Sequence, residues 1–272
     1  MCKLVILLVA AVVIAVTRAN HPCPVIGGGC TCERILHDYP YITCDGQHTT
    51  SEHAFDVLAA LPRNILYGRI ELLGFEDMHE VPSLAFDGFK FGNGWITIHD
   101  SHDQGMAPLL YDDSFAGTER LEVLILSRLR LTAVPAVIFP SIGDTLETLS
   151  LAGNAITILH REAFAALQHG HLLHLDLAEN NLRNIHPWAL TGLPDLHTLD
   201  LTSAGIDILH PGTFSDAWQL EILKLAGNSL VSLQPGVFAG LHHVEHLDFS
   251  GSQIAWVGPG AFDDTEGILR VD

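Results

Sequence analysis

Two histidine–aspartate pairs, His174 with Asp176 and His246 with Asp248, stand two residues apart in the sequence. On an extended strand that spacing puts both side chains on one face. There an imidazole beside a carboxylate could hold a metal or titrate near neutral pH. His160, His186 and His210 share a second recurring position and would stack along one rim. The pattern favours solvated surface residues copied along with a repeat, because nothing else that catalysis requires accompanies them. The HxxxH formed by His242 and His246 lacks the helix and the glutamate base of a zincin. No nucleophile elbow, phosphate loop or dinucleotide fingerprint occurs, and Asn-x-Ser/Thr acceptors are absent. The chain therefore reads as a non-enzyme, and no metal or other cofactor is expected.

What positions these side chains is an internal period. Leu172, Leu175, Leu177, Leu182 and Ile185, with Asn180 among them, spell LxxLxLxxNxLxxI, and the pattern returns 24 residues on at Leu196, then at Leu220 and Val244. Residues two apart on a short strand, such as Leu175 and Leu177, point inward together. Asn180 falls where the chain turns, and its amide can bond backbone groups the turn leaves unpaired. Phe164, Leu190, Phe214, Phe238 and Phe262 recur farther along and are expected to fill the outer side. One unit cannot bury its apolar residues alone, whereas stacked units share a core. Unrelated amphipathic helices would instead show apolar spacings of three and four throughout.

This signature resembles the leucine-rich repeat, whose units run to 20–29 residues. The resemblance implies an α/β solenoid: a horseshoe with a parallel concave β-sheet and an irregular or short-helical convex side. Residues flanking the inward leucines then face the concave surface. Counted from the first leucine, the third residues are Leu72, Trp95, Val123, Thr148, His174, Thr198, Ile222 and His246. The fifth are Gly74, Thr97, Ile125, Ser150, Asp176, Asp200, Lys224 and Asp248. Ligand binding is expected of Leu72, Trp95, Val123 and Ile125 at the apolar end, and of His174, Asp176, Asp200, Lys224, His246 and Asp248 at the charged end. The second residues add Glu122, Glu147, Glu221 and Glu245 to that polar field. An exposed tryptophan among aliphatics beside a charged field suits a protein-binding face.

Residues 1–19, with Lys3, an apolar run from Leu4 to Val16 and Thr17-Arg18-Ala19, read as a secretory signal peptide. That apolar run is short for a spanning helix, and nothing later in the chain is long and apolar enough to cross a bilayer. Residues 20–69 form a cysteine-rich cap and a lead-in segment from Phe55 to Leu66. Cys23, Cys30, Cys32 and Cys44 cluster there; an even count in a secreted chain reads as two disulfides, with zinc the alternative and three connectivities open. CPVIGGGCTCE followed by ITCDG resembles the N-terminal cap of extracellular leucine-rich repeat proteins. The resemblance implies Cys23–Cys32 and Cys30–Cys44. Residues 70–120 read as two degenerate repeats, the first through Ile70, Leu73 and Phe75, the second lengthened by a loop from His99 to Pro108. Residues 121–267 are regular repeats, and 268–272 begin another. That last strand carries no cap, so either the sequence is a fragment of a longer chain, the favoured expectation, or a partner covers that edge. Leu129, Ala204 and Ser252 replace the asparagine, and those turns are expected to satisfy their backbone otherwise, for instance with water.

Lysine plus arginine number 13 against 32 aspartates and glutamates. Without Lys3 and Arg18 the balance is 11 against 32, a net −21. Such a protein repels nucleic acid and anionic membrane, and charge steering favours a basic partner. The function expected is a secreted recognition module binding a protein ligand. The alternative is a non-catalytic subunit of a secreted enzyme complex with a catalytic companion. The cap and degenerate repeats have a looser likeness to the leucine-rich subunit of a crustacean luciferin monooxygenase and its arthropod relatives.

Overall fold

A computed structural model describes residues 23–24, 26–33, 39–100 and 106–272. The proposed signal peptide lies outside the described residues. One sheet of 11 strands runs the length of the molecule. Its strands are β1 (Cys30–Glu33), β2 (Tyr41–Asp45), β3 (Leu66–Leu73), β4 (Lys90–His99), β5 (Glu119–Ser127), β6 (Thr148–Ser150), β7 (His174–Asp176), β8 (Thr198–Asp200), β9 (Ile222–Lys224), β10 (His246–Asp248) and β11 (Arg270–Val271). β1 is antiparallel to β2, and every later neighbour pair is parallel and consecutive along the chain. The chain is a stack of similar coils: strand, turn, outer arc, next strand. Among the described residues no helix is long and apolar enough to cross a membrane.

Register follows the leucine spacing. Leu149, Leu175, Leu199, Leu223 and Leu247 lie side by side and are buried. The outer side is held by aromatics, with Phe139 against Phe164 (6.1 Å), Phe214 against Phe238 (6.1 Å) and Phe238 against Phe262 (5.3 Å). Leu190 takes the place of a ring between Phe164 and Phe214, so the expected filling residues are where the period put them. The cap is closed by Cys23–Cys32 and Cys30–Cys44. The lead-in segment is a helix, α1 (Ser51–Ala60), starting earlier than the sequence suggested; Thr50 caps it, its Oγ1 accepting from the His53 N–H (3.3 Å), and Ala54 and Leu58 face the core.

The first degenerate coil has a different phase from the one its sequence suggests. Ile70 pairs with Ile96 and Leu72 with Ile98, so Ile70 and Leu72 are the inward pair and the coil begins at Tyr67. Leu72 is fully buried and cannot be a concave ligand residue. The sequence Ile70-Glu-Leu-Leu-Gly-Phe75 offers apolar residues in both phases. Burial of Tyr67, Ile70 and Leu72, and of Phe75 at the asparagine position, selects the earlier one. Gly74 thereby becomes the eighth residue of its coil, where the chain leaves the strand with a left-handed backbone (φ 69°), as do Arg128, Gly153, Glu179, Ser203, Gly227 and Gly251.

The asparagines serve two coils each. Asn154 donates through Nδ2 to the carbonyls of Leu126 and Leu151 (both 2.8 Å) and accepts through Oδ1 from the N–H groups of Leu129 (2.9 Å) and Leu131 (3.1 Å). Asn180 reaches back to the Leu151 carbonyl and the Ile156 N–H, and Asn228 to the Leu201 carbonyl and the Ile206 N–H. The coils carrying Leu129 and Ala204 are therefore satisfied by the asparagine of the following coil, and water is not needed there. At Asn180's own turn, where the next coil has Ala204 instead, the Leu182 N–H donates to the Ala204 carbonyl (2.6 Å).

The concave face as a candidate binding surface

From β2 onward the residues on either side of the central inward one, the third and fifth of each coil, turn to the concave side. In corrected phase the third row reads Tyr41, Arg69, Trp95, Val123, Thr148, His174, Thr198, Ile222, His246 and Arg270. The fifth reads Thr43, Glu71, Thr97, Ile125, Ser150, Asp176, Asp200, Lys224 and Asp248. Arg69 and Glu71 thus occupy the places that the sequence reading gave to Leu72 and Gly74.

That substitution changes the chemistry of the N-terminal end. The Arg69 guanidinium lies over the Trp95 ring at 4.1 Å. Glu71 pairs with the same guanidinium, with Nε–Oε1 at 2.7 Å, a close ion contact off the line of a hydrogen bond. Glu71 also accepts from the Thr43 hydroxyl (3.3 Å), and Trp95 donates its indole N–H to Thr97 (3.0 Å). Trp95 is therefore fixed on two sides and half-buried. β4 is irregular just before it, the register shifting between Lys90 and Gly94 and again at Trp95; bulges of this kind re-aim a neighbouring side chain. Gly68 and Gly92 leave flat backbone on which the Tyr41 and Tyr39 rings rest: a Cβ at Gly68 would come within 2.3 Å of Tyr41, and one at Gly92 within 1.8 Å of Tyr39. Tyr41, Arg69 and Trp95 on three adjacent strands are the residue types that dominate binding energy at interfaces. Sequence reasoning missed Arg69 because the first coil was taken three residues late, and Tyr41 because the rows were counted from that coil and left out the cap strand β2. Val123 and Ile125 continue the row on β5, both partly exposed.

At the C-terminal end the aspartates are tied to the backbone. Asp176, Asp200 and Asp248 each accept the N–H two residues on, from Ala178 (3.0 Å), Thr202 (2.9 Å) and Ser250 (2.8 Å). Asp176 also takes the Ser150 hydroxyl (2.8 Å), and Lys224 pairs with Asp200 (2.9 Å). Burial alone would push the Asp200 carboxyl up. Hydrogen bonds from Thr202 and the adjacent Lys224 outweigh it and hold the carboxyl below its ordinary value. The two His–Asp pairs do not form as pairs: His246 bonds Asp272 (3.0 Å) rather than Asp248, and Asp176 is engaged by Ser150 and Ala178. His160, His186 and His210 are all exposed on the outer flank. Among the described residues, no group of three or more histidines, cysteines or carboxylates is placed to hold a metal ion.

A family profile described as "Leucine rich repeat" matches residues 194–254 and 218–268, and a second of the same description matches residues 171–193. The fold is a leucine-rich repeat horseshoe. Among solved structures it is similar to TLR13, in a complex with ssRNA13, at TM-score 0.52 and 18% identity over 85% of this chain and 42% of that one. It is also similar to Toll of Drosophila, in a complex with Spatzle, at TM-score 0.57 and 19% identity over 83% of this chain and 31% of that one. The chain thus spans less than half the length of either, and at these identities the likeness speaks for the fold. No curated protein matches the chain significantly. The likeness to the luciferin monooxygenase subunit finds no support in these comparisons, and no catalytic family is indicated.

Proposed function

We propose that this leucine-rich repeat protein is an extracellular recognition module whose concave face binds a protein ligand. The observation that carries the reading is the Tyr41–Arg69–Trp95 row, a held aromatic–guanidinium surface continuous with Val123 and Ile125. Strands about 4.8 Å apart make these side chains one patch. Two disulfides in the cap fit an oxidising compartment, which together with the signal-like segment supports secretion. Of the two structural neighbours described, TLR13 is in complex with ssRNA13 and Toll with Spatzle. A formal charge of −19 favours a protein ligand over a nucleic acid, and a basic one, because an acidic surface repels phosphate. The face supplies held donors, acceptors and an aromatic anchor with no activated nucleophile, so it recognises rather than reacts.

The test is affinity capture with the intact chain, followed by hydrogen-exchange footprinting of the recovered complex. Protection should centre on β3, β4 and β5, and Trp95→Ala and Arg69→Ala baits should fail to retain the partner. A partner retained equally by both variants, with no protection on those strands, would remove the concave face from consideration.

A further inference from the structure

We propose that the outer flank carries a second docking surface, a groove between the coils that begin at Leu220 and Val244, for a basic segment of a partner protein. The two coils turn there on matching pairs, Pro235-Gly236 and Pro259-Gly260. Both glycines have a left-handed backbone (φ 67° and 74°), and the Gly236 N–H donates to the Gly260 carbonyl (3.2 Å), so the turns lie in register. With no Cβ on either glycine and only a methyl on Ala239 and Ala261, an open groove of about 330 Å³ remains between the coils. Pro235 and Pro259 are exposed along it. A Cβ at Gly258 would come within 2.6 Å of Pro235 Cδ and 2.9 Å of Trp256 Cη2, so the far edge of the indole reaches the margin of the groove beside Pro235. Trp256 is 48% exposed.

The charged residues that line the groove state what it would take. They are Asp263 and Asp264, and no lysine, arginine or histidine accompanies them. Asp264 has a structural use: it accepts the Gly240 N–H of the preceding coil (3.1 Å), as Asp216 accepts the Thr191 hydroxyl. Asp263 has no such use. Its place is taken by Ala165, Thr191, Ser215 and Ala239 in the preceding coils, and its carboxylate makes no hydrogen bond or ion pair with another described residue. A Cβ at Gly260 would lie 2.8 Å from Asp263 Oδ2, so that carboxylate is turned over the groove's own glycine. An apolar trough with one uncommitted carboxylate fits a Lys or Arg side chain, whose methylene stem covers proline and alanine while its head pairs with Asp263. Trp256 at the margin offers an aromatic surface to an apolar neighbour of that residue. The complementarity extends to the whole chain, whose formal charge is −19. An acidic segment would meet two carboxylates and no cation. This inference does not rest on the concave-face reading.

A display of random dodecamer peptides is selected on the intact chain and counter-selected on Ala239→Arg, which lays a guanidinium stem of the chain's own into the groove. Enriched peptides should carry Lys or Arg next to an apolar or aromatic residue. A synthetic copy of the leading peptide should bind Ala239→Arg about tenfold or more weaker and Asp263→Asn about fivefold weaker. Trp95→Ala should bind it like the parent, and so should Asp207→Asn, which removes the same charge from an exposed site outside the groove. Asparagine keeps the shape of the exposed Asp263, so that variant should melt with the parent, and it decides the matter where Ala239→Arg melts lower. The proposal fails if no peptide distinguishes the parent from Ala239→Arg, or if the enriched peptides lack Lys and Arg. It fails also if Asp263→Asn binds like the parent, if Asp207→Asn weakens binding as much, or if binding is lost on Trp95→Ala.

Discussion

In the N-terminal half of the sheet β3, β4 and β5 run for 8, 10 and 9 residues, whereas β6 to β10 are 3 residues each. The long strands bond directly to one another along most of their length. Phe75 fills the asparagine position of the first coil there, and aromatics pack closely beneath the strands: Tyr67 lies 5.0 Å from Phe89, and Phe86 is stacked on Phe115 at 5.2 Å. The short strands of the other half are held at their exits by Asn154, Asn180 and Asn228, each clamping two coils. The concave surface divides the same way. Its N-terminal end presents Tyr41, Arg69 and Trp95 on adjacent strands, with Arg69 over the Trp95 ring, while the aspartates of the C-terminal end each commit one oxygen to a backbone N–H. One solenoid can thus join a part held by long strands and aromatic packing to a part held by regular propagation of the asparagine clamp.

The largest test of this division is at the cap. Cys30→Ser with Cys44→Ser should cost about 2–5 kcal/mol. By hydrogen exchange it should loosen β1 to β4 first and leave the asparagine-clamped coils protected. Uniform loosening along the array would mean that the halves are a single cooperative block. Leu177→Ala, at a fully buried site, should cost about 2–5 kcal/mol, with its effect centred on β7 and β8. Asn180→Ala should cost about 1–3 kcal/mol in urea unfolding, because it leaves the Leu151 and Leu177 carbonyls and the Ile156 N–H without their partner. Parent-like stability of that variant would break the clamp account.

The halves should also answer pH at opposite ends. Burial raises the Tyr67 hydroxyl to about 12, so the unfolded chain ionises first and the associated stability is lost as pH rises from about 10 towards that value. Tyr67→Phe should flatten this alkaline loss. Asp200 is depressed, so its contribution is present above the unfolded carboxylate range near 3.9 and is lost as pH falls through the lower folded value. Asp200→Asn should flatten only the acid limb, and by a small amount, since a half-exposed pair such as Asp200–Lys224 is worth about 0.2–1 kcal/mol. Monitoring unfolding of both variants from acid to alkali settles whether the responses separate.

The regular coils were legible because Leu-x-Leu at one phase permits only one set of inward residues. The first coil was not, because Ile70, Leu72, Leu73 and Phe75 satisfy two phases, and only packing against Ile96 and Ile98 decides between them. Arg69 over Trp95 was hidden by the same ambiguity. The reach of each asparagine into the preceding coil was illegible for a different reason: a repeat pattern names the residue but not which of two coils its amide serves. The left-handed eighth position had a partial signal, since Gly74, Gly153, Gly227 and Gly251 recur there, but Arg128, Glu179 and Ser203 mask it.

The central claim is that the N-terminal concave row anchors a protein ligand while the C-terminal charges steer it. Binding kinetics of the captured partner on Trp95→Ala and on the double variant Asp176→Asn with Asp248→Asn test it most directly. Asparagine keeps the oxygen that each aspartate offers its backbone N–H and removes only the charge. Trp95→Ala should cost about 2 kcal/mol or more, seen as a roughly thirtyfold faster off-rate. The double variant should slow association at low salt and leave the off-rate near the parent's. Parent-like off-rates for Trp95→Ala, or a faster off-rate confined to the aspartate variant, would contradict the account.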